Sequence, residues 1–123
     1  MKPDTRLPLY DVRDTGIIVA RCFENPKRWG QYNVVPLVAE QLTMDEICQT
    51  IRHVSNNEKV RFVPLTYVEC SDKNDEYLNN MRWYNDYGHC EDRKSEITKD
   101  VYDQMKTLAQ WLDETKWLTE NKK

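Results

Sequence analysis

Apolar positions recur at helical spacing along several stretches of this chain. Near its start, an extended stretch at residues 7–10 leads into the almost wholly apolar residues 17–23, which predict a helix. Asp11 and Asp14 can each cap that helix, and Asp14 is the better placed of the two. A helix that is apolar on all sides needs cover on all sides. Because so little chain precedes a helix that needs such cover, the pattern is typical of the second part of a larger structure.

The same periodicity predicts three further helical regions. Thr43 and Glu46 have the spacing of a capping box at the start of an amphipathic helix. A third helix begins near Tyr77 and ends at Gly88, since glycine is a common residue just after a helix. From residue 97 to residue 112, apolar residues recur at steps of three and four. That spacing fits one long helix, or two helices separated at Thr107, which can itself act as an N-cap.

Two segments have the alternating pattern of strands. Residues 32–38 and 59–65 each end in Val-Pro-Leu or close to it, and a helix lies between them. A strand–helix–strand order of this length predicts parallel pairing with a right-handed connection. The expected fold is therefore α/β tending to α+β, with about four helices and a two-stranded parallel sheet. We expect one domain over residues 1–123, with residues 1–6 and 118–123 flexible.

Composition excludes some classes of function. The 18 basic and 21 acidic residues give a net charge of −3 and are well mixed along the chain. We therefore expect no nucleic-acid partner, because no basic face is available to neutralise phosphates. No apolar run reaches the roughly 20 residues that span a bilayer, and the first residues do not resemble a secretory signal. These features predict no membrane association and a cytoplasmic location, with a nuclear one also open.

The reactive side chains favour structural roles over catalysis. Asp11 and Asp14 precede a helix, where caps are a more natural interpretation than an acid–base pair. His53 falls near a helix end, which predicts a surface position. His89 and Cys90 are adjacent in sequence, which is poor geometry for a thiolate–imidazolium pair, and the four cysteines lack the paired spacing of a zinc site. We therefore predict no catalytic, cofactor-binding or metal-ligating residue in this chain.

Aromatic residues are the candidates for a binding surface. One interpretation has them packing the third helix onto the sheet and the first helix. The other makes them a wall that faces a ligand or partner, because Trp and Tyr are enriched at interfaces. The candidate residues are Tyr77, Trp83, Tyr84, Tyr87 and Trp111.

Six short motifs, taken in order, resemble the C-terminal part of the NmrA-like family, a group of atypical short-chain dehydrogenase relatives. They are D-x-x-D-x-G at residues 11–16, the pair Asn25-Pro26 with Trp29-Gly30, residues 42–47, residues 59–64, Tyr84-x-x-Tyr87-Gly88, and Thr107-Leu108-x-x-Trp111-Leu112. The resemblance implies that an N-terminal Rossmann domain binds NADP or NAD and that a smaller C-terminal subdomain closes over it. In such a fold the first helix lies at the junction of the two, so we expect it to be only partly buried here, and to be either the least protected element or a partner contact. The resemblance also implies a link to redox-responsive regulation or to NAD(P)H-dependent reduction.

The cofactor loop of that family has no counterpart in these residues. The chain has three glycines, Gly16, Gly30 and Gly88, each alone, so no Gly-rich loop follows a strand. We therefore expect no cofactor bound by this chain and expect a protein partner or the absent Rossmann domain to complete it. The leading hypothesis is a non-catalytic, truncated NmrA-like subdomain that acts as an interaction or regulatory module. The alternative is one part of an NAD(P)H-dependent oxidoreductase.

Overall fold

The computed structural model describes residues 3–64, 76–87 and 95–117, which form a mixed α/β structure. Within those ranges a two-stranded antiparallel sheet is formed by β1 (Arg6–Leu9) and β2 (Glu40–Thr43). A 3-10 helix follows β1 at Val12–Asp14. The α-helices in the described ranges are α1 (Thr15–Glu24), α2 (Pro26–Trp29), α3 (Met44–Ser55), α4 (Glu76–Tyr87), α5 (Ser95–Val101) and α6 (Leu108–Thr115). The predicted fold class is confirmed, with more and shorter helices than expected.

The positions and direction of the predicted strands are wrong. Residues 32–38 and 59–64 are irregular, and residue 65 lies outside the described ranges. The sheet instead pairs residues 6–9 with the segment directly before α3, and the Ala39 N–H donates to the Leu9 carbonyl at 2.8 Å. The parallel orientation is replaced by an antiparallel one. Pro36 has no N–H to give to a ladder, and its carbonyl is satisfied by Thr98 at 2.6 Å instead.

The described chain divides into two compact units. One, here called the α3–α4 unit, comprises Met1–Leu7 and Leu42–Cys90. The other, here called the core unit, comprises Pro8–Gln41 and Glu91–Lys123 and holds the 3-10 helix, α1, α2, α5 and α6. No helix in the described part of the chain is both long and apolar enough to cross a bilayer.

The α3–α4 unit confirms the capping box. The Thr43 N–H donates to Glu46 Oε2 at 2.8 Å, and the Glu46 N–H donates to Thr43 Oγ1 at 3.2 Å. Arg6 donates to both carboxylate oxygens of Glu46, at 3.1 and 3.3 Å. The helix ends at Asn56, whose φ of 54° is left-handed. Local sequence signals therefore determine both ends of α3.

The core unit is built around Ile18, Trp29 and Val101, which are 2%, 8% and 1% exposed. Partly buried side chains pack around these three: Cys22, Tyr32, Val35, Leu37, Tyr102 and Met105. Of the two arrangements open for the last stretch, the structure has two helices. Thr107 caps α6 in a second capping box with Gln110, as its N-cap signal allows.

Candidate functional site

Helix α1 buries one face in the core unit and exposes another. Ile18 is buried and Cys22, one turn later, is half-buried against the same core. Positions i, i+3, i+4 and i+7 of the helix form an exposed apolar stripe, here called the outer face of α1: Gly16, Val19, Ala20 and Phe23. Val19 is 45% exposed and Phe23 81%. The expectation of a partly buried first helix is confirmed.

Two buried carboxylates precede α1 and have different roles. Asp11 caps the 3-10 helix, since its Oδ1 accepts the Arg13 N–H at 2.9 Å and the Arg13 Nε at 3.0 Å. Asp14 holds the N-cap position of α1 without a side-chain cap bond. Its Oδ2 instead accepts the Lys106 N–H at 2.9 Å, across 92 residues. The prediction that Asp14 is the better cap is therefore wrong, because its carboxylate satisfies the backbone just before α6.

A short ion network joins these residues to α6. Arg13 Nη1 lies 3.1 Å from Glu114 Oε1, and Lys106 Nζ lies 2.9 Å from Glu114 Oε2. Hydrogen bonds from the Arg13 side chain hold the pKa of Asp11 below its ordinary value and raise the pKa of Arg13. The hydrogen bond from Lys106, helped by the charge of Arg13, lowers the pKa of Glu114. In these ion pairs two cations face two carboxylates, and the buried Asp14, which accepts the Lys106 N–H, adds a third carboxylate beside them.

A cavity of about 290 Å³ lies in the core unit beside this network. One wall is the end of β1 with the 3-10 helix, and the other is the start of α6. We call it the Trp111 pocket, and its lining residues are Leu9, Tyr10, Asp11, Val12, Lys106, Thr107, Leu108 and Trp111. The Leu108 N–H at the start of α6 donates to Glu40 Oε1 at 2.7 Å. Trp111 is the sequence-predicted surface residue that lines this cavity.

The other candidate aromatic residues lie on α4. The Trp83 ring is 5.5 Å from the Tyr84 ring in an edge-to-face arrangement and 5.7 Å from the Tyr87 ring. Trp83 is 43% exposed and Tyr87 72%, whereas Tyr84 is half-buried. Tyr77 belongs to α4, but its side chain lies outside the described part. Packing and partner-facing interpretations of these residues both stay predictions.

The remaining candidates are the two histidines and Cys90. His53 is exposed in the last turn of α3, as predicted for a surface histidine. His89 and Cys90 lie outside the described residues. Among those that are described, no group of three or more His, Cys, Asp or Glu side chains could hold a metal ion.

Sequence reasoning missed Lys106 and Glu114, which help to organise the pocket. Their partners Asp14 and Arg13 lie 92 and 101 residues away in sequence. A contact of that separation leaves no local pattern. Two aromatic residues gave a local signal of the pocket: Trp111, which the sequence analysis names as a candidate surface residue, and Tyr10, which lies directly after an extended stretch.

Comparisons with known proteins indicate the family of this chain. A comparison with curated proteins finds no match to this chain. The sequence model of the NmrA-like family matches residues 1–112, which is most of the 123 residues. This match agrees with the resemblance carried by the six motifs, and the family is related to NAD(P)-binding proteins. The chain therefore belongs to the NmrA-like family.

Proposed function

We propose that this chain is a non-catalytic interaction module that docks through the outer face of α1 onto a Rossmann-type NAD(P)-binding domain. The observation that carries the proposal is the exposure of Val19 and Phe23, at 45% and 81%, on a helix whose opposite face is buried. Apolar residues at i, i+3, i+4 and i+7 are typical of a helix face that packs on another element. Exposed apolar patches of this kind mark interaction sites.

Gly16 supports close contact at this face. A Cβ atom built on Gly16 would meet nothing within 4 Å, so no contact within the described structure requires a glycine there. Gly16 is the second residue of α1, and glycine is the least favoured residue in a helix apart from proline. A glycine on an open helix face lets another backbone approach closely. Close approach by a docked domain therefore accounts for a residue that the fold of this chain leaves unexplained.

Two features favour a dinucleotide-binding domain as the partner: the family to which the chain belongs, and the absence of closely spaced glycines from the chain. The family is related to NAD(P)-binding proteins. These 123 residues carry three separated glycines, and a pyrophosphate needs several closely spaced ones beside a helix start. Hydride transfer belongs to the cofactor, which supports a non-catalytic role for this chain. A module held by such a partner can respond to the dinucleotide state, which is the basis of the proposed regulatory role.

Binding to a purified dinucleotide-binding domain from a full-length NmrA-like protein tests the docking. Phe23→Glu places a charge on the outer face of α1, and Val34→Glu is the matched control because Val34 is 59% exposed in an irregular segment. We expect saturable binding of the wild-type chain, a loss of about tenfold or more for Phe23→Glu and little change for Val34→Glu. Absence of wild-type binding, or equal loss in both variants, overturns the proposal.

Calorimetry tests the non-catalytic part. The chain alone should bind neither NADP nor NAD at micromolar concentrations. Stoichiometric dinucleotide binding by the isolated chain would favour the oxidoreductase alternative.

A further inference from the structure

We propose that the Trp111 pocket binds a neutral aromatic small molecule of one or two fused rings. Its volume of about 290 Å³ is at the lower end of the range for ligand cavities. A molecule of this size can occupy the pocket without displacing a wall. None of the lining residues belongs to α1, so the inference does not depend on the proposed docking.

The walls favour an aromatic ligand. Leu9, Val12 and Leu108 supply aliphatic surface, and Tyr10 and Trp111 supply rings that can stack on or meet a flat molecule edge-to-face. Val12 is 73% exposed and Tyr10 is 41% exposed. Covering large apolar side chains removes their surface from water, which favours binding. The Tyr10 hydroxyl forms no hydrogen bond within the described residues, so it is available to a ligand hydroxyl or carbonyl group.

The charges favour a neutral ligand. The Asp11 carboxylate is 2% exposed and is already paired with Arg13, while Lys106 is paired with Glu114 at 2.9 Å. A cationic ligand would have to compete with Arg13 for Asp11. An anionic ligand would have to compete with Glu114 for Lys106. Burying a charge without a partner is costly, so charged ligands are disfavoured.

At the start of α6, two backbone N–H groups already have side-chain acceptors. The Leu108 N–H donates to Glu40 at 2.7 Å, and the Gln110 N–H donates to Thr107 Oγ1 at 3.3 Å. A carboxylate therefore already occupies the positive end of the helix. These bonds, together with the bond from the Lys106 N–H to Asp14 at 2.9 Å, hold in place the pocket wall formed by the start of α6. A wall that is already fixed loses little conformational entropy on binding.

Titration of the full chain with 2-naphthol, followed by the indole N–H resonances in NMR spectra, tests the inference. A Trp111→Phe variant identifies the Trp111 resonance. We expect saturable shifts of that resonance with a dissociation constant on the order of 0.5 mM. Val12→Trp fills the mouth of the pocket from an exposed position and should weaken binding about tenfold or more. Val34→Trp, at a 59% exposed position outside the pocket, is the control and should bind as the wild type does.

Three outcomes overturn the inference. The first is no saturation up to about 5 mM, roughly ten times the expected dissociation constant. The second is unchanged binding by Val12→Trp while its thermal unfolding matches that of the wild type. The third is equal binding of 2-naphthol and the anionic naphthalene-2-sulfonate, which would contradict the requirement for a neutral ligand. We expect the sulfonate to bind about tenfold more weakly.

Discussion

Replacing Thr98 by valine removes one hydroxyl group from a fully buried site and nearly preserves the shape of the side chain. Thr98 is 0% exposed. Its Oγ1 donates to the Pro36 carbonyl at 2.6 Å and accepts the Val38 N–H at 3.3 Å. One side chain on α5 thus forms hydrogen bonds with two backbone groups of the irregular segment at residues 32–38, the Pro36 carbonyl and the Val38 N–H. In Thr98→Val neither group retains that partner.

The expected loss follows from these two bonds. A net hydrogen bond stabilises a protein by about 1 kcal/mol, and leaving a buried group unpaired costs about 1 to 3 kcal/mol. Pro36 and Val38 are both buried, so we expect Thr98→Val to lower the free energy of unfolding by about 2 to 3 kcal/mol. Thr98→Ser keeps the hydroxyl and loses one methyl group, which costs about 1 kcal/mol.

Urea unfolding followed by circular dichroism measures the difference. With a slope of about 1 to 3 kcal/mol/M, Thr98→Val should shift the midpoint down by about 0.7 to 3 M, and Thr98→Ser by about half of that or less. The reasoning is refuted if Thr98→Val is as stable as Thr98→Ser. That result would mean that the hydroxyl does not hold residues 36–38 against α5.

Two further predictions concern the core unit: one compares its two glycines, and the other concerns Asp11. A Cβ on Gly30 would lie 2.6 Å from the Pro26 carbonyl oxygen, so Gly30→Ala should destabilise the chain by about 1 to 3 kcal/mol. Gly16 has open space around it, so Gly16→Ala should be neutral or stabilise the chain by up to about 1 kcal/mol. Thermal melts in which both variants behave alike would contradict this prediction. Arg13 lowers the pKa of Asp11, so the stabilisation from ionised Asp11 is complete above its ordinary pKa of 3.8 and is lost as the pH falls through its lower value in the folded chain. Stability of Asp11→Asn should therefore fall less steeply in acid than that of the wild type, and parallel profiles between about pH 5 and 2 would argue against it.

Local signals in the sequence predicted local structure well. The Thr43–Glu46 capping box depends on residues three positions apart, and α3 begins where that signal places it. For α6 the sequence left one long helix or two helices open, with Thr107 as a possible N-cap, and the structure has the second arrangement. The partial burial of α1 was expected from the family resemblance, which places this helix at the junction of two subdomains; its all-round apolar pattern alone would predict full burial.

Pairings between distant residues could not be predicted in this way. The segment at residues 32–38 has an alternating pattern, but Thr98 binds its backbone, and β1 pairs with a segment that shows no strong strand signal. Asp14 has the spacing of a helix cap, yet it accepts the Lys106 N–H. The Trp111 pocket is formed by two segments about a hundred residues apart, so its shape depends on the fold.

Hydrogen exchange of the chain, alone and with a dinucleotide-binding domain of the family, tests the central claim most directly. In the isolated chain, amides of residues 16–23 should exchange readily, because the outer face of α1 is open to water. Addition of the domain should slow residues 16–23 by about tenfold or more and leave α3 unchanged. Strong protection of residues 17–23 in the dilute chain alone, with no change when the domain is added, would contradict docking through the outer face of α1.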